Sequence, residues 1–295
     1  VIIHGVRSGI ERASKMMMPT LFVLLVVVVI GSCMLPGAGK GVEFLFRPDF
    51  SKMDSSVFLA AMGQSFYSLS IGMGCICTFA SYFSRKANLM KSAVNIVAID
   101  SLIAIMAGLM IFPAAFSVGI NPDSGPSLIF ITLPNVFKEA FATMPIIGTV
   151  IAIMFYVLLS LAALTSLISL HEVSTAFFYE ELHTTRKKAA TLVTVSLCVL
   201  GALCSLSIGG RDWLVIGGKS LFDLLDFVTG QIMLPIAGFL TCIFLGWVVP
   251  RQTVKDEFTN WGTLRSTLFG VYILLIRYVC PVCIVAIFLN QLGII

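Results

Sequence analysis

Residues 63–82, GQSFYSLSIGMGCICTFASY, are the stretch that most constrains how this chain can fold. They are apolar enough to lie in a bilayer, yet residues 68–74 hold two serines and two glycines, which disfavour a continuous helix. In lipid, an interrupted backbone survives only where it lines a cavity enclosed by protein. Transporters use such discontinuous helices to bind substrates and cations. The alternative is a close helix crossing, which also uses Gly and Ser.

The composition places the chain among polytopic membrane proteins. Hydrophobic residues make up 58% of it, charged residues 12%, and the mean hydropathy is +1.01. Soluble domains of this length do not repeat uninterrupted apolar runs along the whole sequence. The net charge of +4 indicates no nucleic acid, because membrane proteins concentrate Lys and Arg in cytoplasmic loops. The cysteines all lie in apolar segments, so Cys280 and Cys283 are interpreted as buried hydrophobic residues rather than as a redox pair.

The pattern of apolar runs predicts an all-α protein that forms a single transmembrane transporter domain over residues 1–295. The predicted spans are residues 17–35, 56–83 (broken), 92–116, 147–179, 189–208, 220–249 and 266–289. We expect loops at residues 36–54 and 250–265. Two short helices are predicted within residues 127–142.

The distribution of basic residues predicts the orientation. Alternate loops that begin with the N-terminal segment carry twice as many Lys and Arg residues as the other loops. The positive-inside rule therefore predicts a cytoplasmic N-terminus and an external C-terminus. The polar segment before the first span indicates a start within a loop. Arg277 lies in the last span, where a cation needs a partner or a wet face.

Several polar side chains lie inside predicted spans. Asp100 is a candidate cation ligand, and the alternative is a salt bridge. Thr165 and Ser169 share a helix face, and Ser166 adjoins Thr165. Hydroxyl and carbonyl oxygens suit a hard cation such as Na⁺. The same hydroxyls can instead bond back to their own helix, and both interpretations stay open.

The remaining acidic residues of the spans do not form an enzyme motif. His171-Glu172 resembles the start of the zinc-protease motif HExxH, but Thr175 stands where the second histidine would be. Glu172 lies seven residues after Thr165, hence on the same helix face. Asp223 and Asp226 also share a face, where they either close a gate with an arginine or belong to a solvated helix end.

Together these segments resemble the neurotransmitter:sodium symporter family, whose model members are leucine-transporter-like. The matching pieces are GIERASKMMMP, GQSFYSLSIGMG, GPSLIFITLP, AALTS and FDLLDF. The resemblance covers essentially the whole chain. It implies the inverted-repeat fold of that family, with the chain running from just before family helix 5 to helix 11. Most of the first repeat would then lie outside the chain, and we expect the chain alone not to transport.

The resemblance also implies site residues, carried over by position. The implied Na⁺ ligands at two sites, each completed by family helix 1, are Ser68, Asp100, Ala162, Thr165 and Ser166. The implied substrate-binding residues are Tyr67, Ser68, Ser70, Met73, Ser166 and Leu170. The implied gating residues are Asp226, Glu180 and Tyr82. Two departures stand out: the family has an asparagine at or next to position 100, and commonly an aspartate at position 180.

The expected function is a sodium-coupled symporter that imports hydrophobic or aromatic L-amino acids by alternating access. Met73 occupies a position where the leucine transporter has a bulky aromatic, and the Gly-Met-Gly sequence resembles bacterial multi-hydrophobic amino-acid transporters. Chloride is not expected as a cofactor, because Asp100 supplies a negative charge. The partners are an amino-acid substrate and the lipid bilayer of a bacterial cytoplasmic membrane. A proton-coupled carrier, with Asp100 and Glu172 titrating, and a non-transporting scaffold remain alternatives.

Overall fold

Helices dominate the fold, which confirms the all-α class. The computed structural model describes residues 1–83, 87–119, 133, 136–137, 145–208, 215–216, 219–263 and 267–294. The helices in chain order are α1 (Glu11–Cys33), α2 (Ala38–Phe46), α3 (Ser55–Ser68), α4 (Cys75–Ser81), α5 (Leu89–Ser117), α6 (Pro145–Glu180), α7 (Arg186–Ile208), α8 (Leu221–Val248), α9 (Arg251–Phe258) and α10 (Phe269–Gln291). Two short antiparallel strands, β1 (Val215–Ile216) and β2 (Lys219–Ser220), precede α8.

Six helices in the described part of the chain are long and apolar enough to cross a membrane: α1 with its preceding turn, α5, α6, α7, α8 and α10. The α3–α4 pair occupies the remaining predicted span, as two helices separated by residues 69–74. α8 contains widened π turns at Phe227–Met233 and Phe244–Val248, and α10 contains one at Leu275–Val279. Such turns are frequent at functional positions of helices.

The loop predicted at residues 36–54 is wrong, because α2 lies within it. Its buried residue Gly41 lies against α5, where an added Cβ would come within 2.5 Å of the Phe112 carbonyl carbon. Phe44 stacks on Phe112 and Phe116 at ring-centroid distances of 5.1 and 5.2 Å. Packing of one apolar face therefore stabilises a helix that is too short to be recognised as a span.

The loop predicted at residues 250–265 is also wrong, because it contains α9. Val254 is buried in a cluster with Phe269 and Ile273 of α10. Phe258 packs on Tyr272 with ring centroids 4.9 Å apart. The many charged residues of α9 indicated a loop, but they lie on one face of a helix whose opposite face is apolar. Of the two helices predicted within residues 127–142, only residues 133 and 136–137 are described, so the prediction is largely outside the described residues.

The chain forms two compact units, residues 1–52 with 98–169 and residues 53–97 with 170–295. The core of the first unit joins residues of α1, α2, α5 and α6 with Leu133, Val136 and Phe137. Phe155 of α6 lies at its centre, with its ring centroid 5.3 Å from that of Phe137. The second unit has a core cluster of Phe66, Leu234, Ile284 and Ile287. This cluster packs α3 against α8 and α10.

Candidate functional site

The interruption of the second span begins with a defined helix-terminating turn. The Ile71 N–H donates to the Phe66 carbonyl at 3.1 Å, and the Ser70 N–H donates to the Tyr67 carbonyl at 3.0 Å. This pair of hydrogen bonds is the Schellman motif, which usually places glycine in the left-handed position. Here Ser70 holds that position, with φ of 54°. A side chain there costs on the order of 1 kcal/mol, so the turn keeps a strained residue that carries a hydroxyl.

Glycine is required at the next turn for a different reason. Gly72 has φ of +88°, and a Cβ built on it would lie 2.5 Å from the Leu234 carbonyl oxygen and 3.2 Å from the Gly238 nitrogen. The unwound backbone therefore lies directly on α8, at a distance that no side chain permits. Gly74, with φ of 79°, then starts α4 by accepting the Thr78 N–H at 2.9 Å.

The predicted substrate residues of this segment differ in exposure within their unit. Tyr67 is 51% exposed, and Ser68 is exposed at the last position of α3. Ser70 is half-buried in the turn. Met73 is half-buried and packs against the core cluster that contains Phe66 and Leu234. The sulfur side chain of Met73 is thus anchored on an apolar surface while the backbone beside it is unwound.

The predicted ligands on α6 lie on successive turns of one helix in the first unit. The Thr165 hydroxyl donates to the Ala162 carbonyl at 2.8 Å, and the Ser169 hydroxyl donates to the Thr165 carbonyl at 3.1 Å. The alternative interpretation, hydroxyls bonded back to their helix, therefore describes the contacts of Thr165 and Ser169. A hydroxyl that donates its proton still has lone pairs for a cation. Ser166 is exposed, as is Leu170 one turn later, at 46%.

Carboxylate metal sites are not a feature of the described residues. They contain no group of three or more His, Cys, Asp or Glu side chains arranged to hold a metal ion. Asp100 lies half-buried on α5, in the same unit as Ala162 and Thr165. Hydroxyl, carbonyl and carboxylate oxygens of this kind are the ligand types that hard cations prefer.

A buried charge cluster joins Glu172 to the predicted gating residue Tyr82 and to Arg186. The Glu172 side chain on α6 is fully buried. Arg186 Nη2, at the start of α7, donates to both of its carboxylate oxygens at 2.7 and 2.6 Å. The Tyr82 hydroxyl, just after α4, donates to the same carboxylate at 3.1 Å. The signal in the sequence was an acid inside a span, which requires a partner, but nothing indicated Arg186.

A second polar network joins α6 and α7 beside this cluster. The buried His171 contacts Thr194 Oγ1 through Nε2 and Thr175 Oγ1 through Nδ1, both at 2.9 Å. The Thr194 hydroxyl donates its proton to the Ala190 carbonyl at 2.8 Å. It must therefore accept from Nε2–H, and Nδ1 accepts from Thr175, so we assign the Nε2-protonated imidazole.

The remaining predicted gating residues are on the surfaces of their units. Glu180 is exposed in the last turn of α6, and Asp226 is exposed in α8. Asp223 accepts the Ser220 hydroxyl at 2.7 Å, and its N–H donates to Ser220 Oγ at 3.1 Å. This reciprocal cap supports the interpretation of Asp223 as part of a helix end.

Comparisons with known proteins agree with this architecture. Residues 1–294 match the sequence profile of the sodium:neurotransmitter symporter family. A sodium-dependent transporter of Haemophilus influenzae is 36% identical over 294 residues, which are 99% of the chain and 62% of that protein. The sodium-dependent transporter YhdH of Bacillus subtilis is 35% identical over 295 residues, 100% of the chain and 64% of that protein.

A solved structure is also similar. The crystal structure of MhsT in complex with L-phenylalanine matches with a TM-score of 0.83 and 38% sequence identity, over 99% of the chain and 65% of MhsT. The chain thus spans slightly less than two thirds of the length of these relatives. MhsT has the leucine-transporter fold, which confirms the predicted fold. With a family profile matched along its length and relatives above one third identity, this chain belongs to the sodium:neurotransmitter symporter family.

Proposed function

We propose that the chain works in a sodium-coupled symporter that imports hydrophobic and aromatic L-amino acids by alternating access. The observation that carries the proposal is the strained, unwound segment between α3 and α4 inside an otherwise apolar span. Backbone polar groups released at membrane depth need partners, and a zwitterionic substrate and a cation supply them. Membership of a family named for sodium-dependent transport supports the sodium coupling.

The substrate proposal rests on the neighbour and on one side chain. MhsT was crystallised with L-phenylalanine, an aromatic amino acid. Met73 lies beside the unwound segment, and an unbranched methionine adapts to ligands of different shape. We assign Tyr67, Ser68, Ser70, Met73, Ser166 and Leu170 to substrate binding.

The sodium proposal follows the hydroxyl and carbonyl groups. Ser68 and Asp100 are assigned to the first Na⁺, and Ala162, Thr165 and Ser166 to the second. Asp226, Glu180 and Tyr82 are assigned to gating. The proposed location is the bacterial cytoplasmic membrane, with residue 1 on the cytoplasmic side, because the basic loops alternate in that sense.

Proton coupling is the second candidate, and the structure weakens one of its two supports. Glu172 was a candidate proton carrier, but Arg186 and Tyr82 both donate to its carboxylate. Both carboxylate oxygens are engaged by these donors within one buried cluster, and this arrangement supports a structural role for Glu172 rather than a transport role.

Uptake by the full-length transporter in proteoliposomes separates the candidates. An inward Na⁺ gradient at equal pH is expected to drive accumulation of labelled L-phenylalanine, whereas an inward proton gradient in K⁺ buffer is not. Leucine, tyrosine and tryptophan are expected to compete for this uptake, and alanine and glycine to compete poorly. Uptake driven by protons without Na⁺ contradicts the sodium coupling, and competition by small amino acids alone contradicts the substrate class.

A further inference from the structure

Arg277 is a cation inside a spanning helix, and the structure shows what holds it. It lies in the π turn Leu275–Val279 of α10, opposite the π turn Phe244–Val248 of α8. Its Nε donates to the carbonyl oxygen of Gly246. α8 ends at Val248, so Gly246 is among the last residues of the helix, whose carbonyls lack partners within the helix. Arg277 therefore caps the negative end of α8 from the neighbouring helix.

Aromatic side chains surround the same guanidinium. Arg277 Cζ lies 5.6 Å from the centroid of the Trp247 ring, a cation–π distance. Trp247 meets Tyr278 edge-on, with ring centroids 5.8 Å apart. Both rings are largely exposed, at 57% and 56%. Exposed Trp and Tyr on spanning helices are typical of the level of the lipid headgroups, where one end of the ring is apolar and the other is polar.

These contacts engage only part of the Arg277 guanidinium. A guanidinium has five N–H donors, and Gly246 takes one. The ion pairs of the described residues do not include Arg277. Arg251 begins α9 just after the end of α8 and adds positive charge at this end of the helix pair, with its Cζ 5.8 Å from the Phe269 ring centroid. On α9, which follows α8, the acid Asp256 accepts from Gln252 Nε2 at 2.8 Å.

The direction of the side chain fits a headgroup. Helical side chains lean toward the N-terminal end of their helix. α10 begins on the side of the membrane where α8 ends, so Arg277 leans toward the surface that carries Arg251. Long basic side chains in spanning helices reach the interface in this way.

We propose that Arg277 binds the phosphate of an anionic phospholipid, with Trp247 and Tyr278 packed beside the headgroup. The planar guanidinium presents parallel N–H groups that match phosphate oxygens, and the Gly246 carbonyl fixes its plane. These residues differ from those assigned to substrate and sodium binding. The proposal therefore does not depend on which amino acid is transported.

Trp247 provides the probe for a test. The full-length transporter, with Trp213, Trp261 and any tryptophan outside this chain replaced by phenylalanine, is reconstituted in phosphatidylcholine. Brominated phosphatidylglycerol or brominated phosphatidylcholine is then added, and quenching of Trp247 fluorescence gives the relative binding constant. We expect phosphatidylglycerol to bind about fivefold more strongly, as one basic residue near a surface provides. Arg277→Gln is expected to abolish the preference, and Arg277→Lys to retain part of it.

Lys219→Gln is the matched control, because Lys219 makes a comparable cation–π contact, 4.3 Å from the Phe227 ring, near the other end of α8. It is expected to leave the preference unchanged. Equal quenching by the two lipids in the otherwise wild-type protein overturns the proposal, without requiring any variant at Arg277. The assignment also fails if Arg251→Gln removes the preference while Arg277→Gln preserves it.

Discussion

Arg186 and Glu172 form an ion pair in which Nη2 contacts both carboxylate oxygens at 2.7 and 2.6 Å, with the Glu172 side chain fully buried. The two residues join the start of α7 to the interior of α6. A buried pair of this kind contributes little beyond well-packed apolar residues, but the loss of one member leaves an uncompensated charge.

The first prediction concerns this ion pair. Arg186→Met is expected to lower the free energy of unfolding by about 3–5 kcal/mol, because Glu172 then remains buried without a counter-charge. The double variant Arg186→Met with Glu172→Met is expected to recover a large part of the loss. Thermal unfolding of the purified full-length protein measures both. Glu43→Gln is the control, because its ion pair with Arg47 is exposed and is expected to contribute less than about 1 kcal/mol.

The second prediction concerns the unwound segment. Gly72→Ala combines a left-handed φ of +88° with a Cβ 2.5 Å from the Leu234 carbonyl oxygen. The segment must move away from α8, so uptake is expected to be lost even in protein that still reaches the membrane. Gly201→Ala is the control, because a Cβ at Gly201 meets nothing within 4 Å. Normal uptake by Gly72→Ala contradicts the close approach.

The third prediction tests the proposed sodium ligands of α6. Replacing Thr165 and Ser166 together by alanine is expected to raise the Na⁺ concentration for half-maximal uptake at least tenfold, since two oxygen ligands are removed. Thr149→Ala is the control, because its hydroxyl makes the same type of bond, to the Pro145 carbonyl at 2.9 Å on the same helix. Unchanged sodium dependence of the double variant argues against these ligands.

The fourth prediction concerns chloride. Bound Na⁺ brings positive charge into a low-dielectric site, and Asp100 is the proposed counter-charge. Wild-type uptake is therefore expected to be the same in chloride and gluconate. Asp100→Asn is expected to lose uptake or to become dependent on chloride, whereas the exposed Asp49→Asn is expected to do neither. A collapse of wild-type uptake in gluconate shows that Asp100 is not the counter-charge.

The fifth prediction concerns pH and the start of α3. Hydrogen bonds from the Ser56 hydroxyl and the Val57 N–H hold the pKa of the Asp54 carboxyl below its usual range. Because the carboxyl pKa is lower in the folded state, the stabilisation that this cap provides is fully present above the pKa of the unfolded chain. It is lost as the pH falls through the pKa of the folded state. Hydrogen exchange at the Val57 amide is expected to become faster at acidic pH, after correction for the intrinsic rate. In Asp54→Asn this extra acceleration is expected to disappear.

The sequence predicted the parts of the fold that depend on local patterns. Long apolar runs located the spanning helices, and the Ser and Gly residues of 68–74 located the interruption, because both effects act within a few turns of backbone. The pattern failed for α2 and α9. Their stability comes from contacts such as Phe44 with Phe112, and tertiary packing of this kind has no signature in a short window.

The cluster around Glu172 shows a second limit of prediction from the sequence. Because Glu172 lies inside a span, its carboxylate requires a partner. Its donors, Tyr82 and Arg186, lie 90 and 14 residues away in the sequence. The predicted span began at residue 189, which left Arg186 among several basic residues of the preceding loop. The choice among them depends on where α7 begins, and the structure begins it three residues earlier, at Arg186.

Three helical elements meet at the Glu172 carboxylate, and their attachments differ in strength. The attachment of α7 uses a charged donor with two short contacts, whereas the attachment of the α4 end uses one neutral hydroxyl at 3.1 Å. Only the attachment of α7 is an ion pair, because its donor is a guanidinium that reaches both oxygens. The Tyr82 contact is therefore expected to break more easily than the contact between α6 and α7. The cluster thus fastens α6 to α7 more firmly than it fastens the end of α4 to either of them.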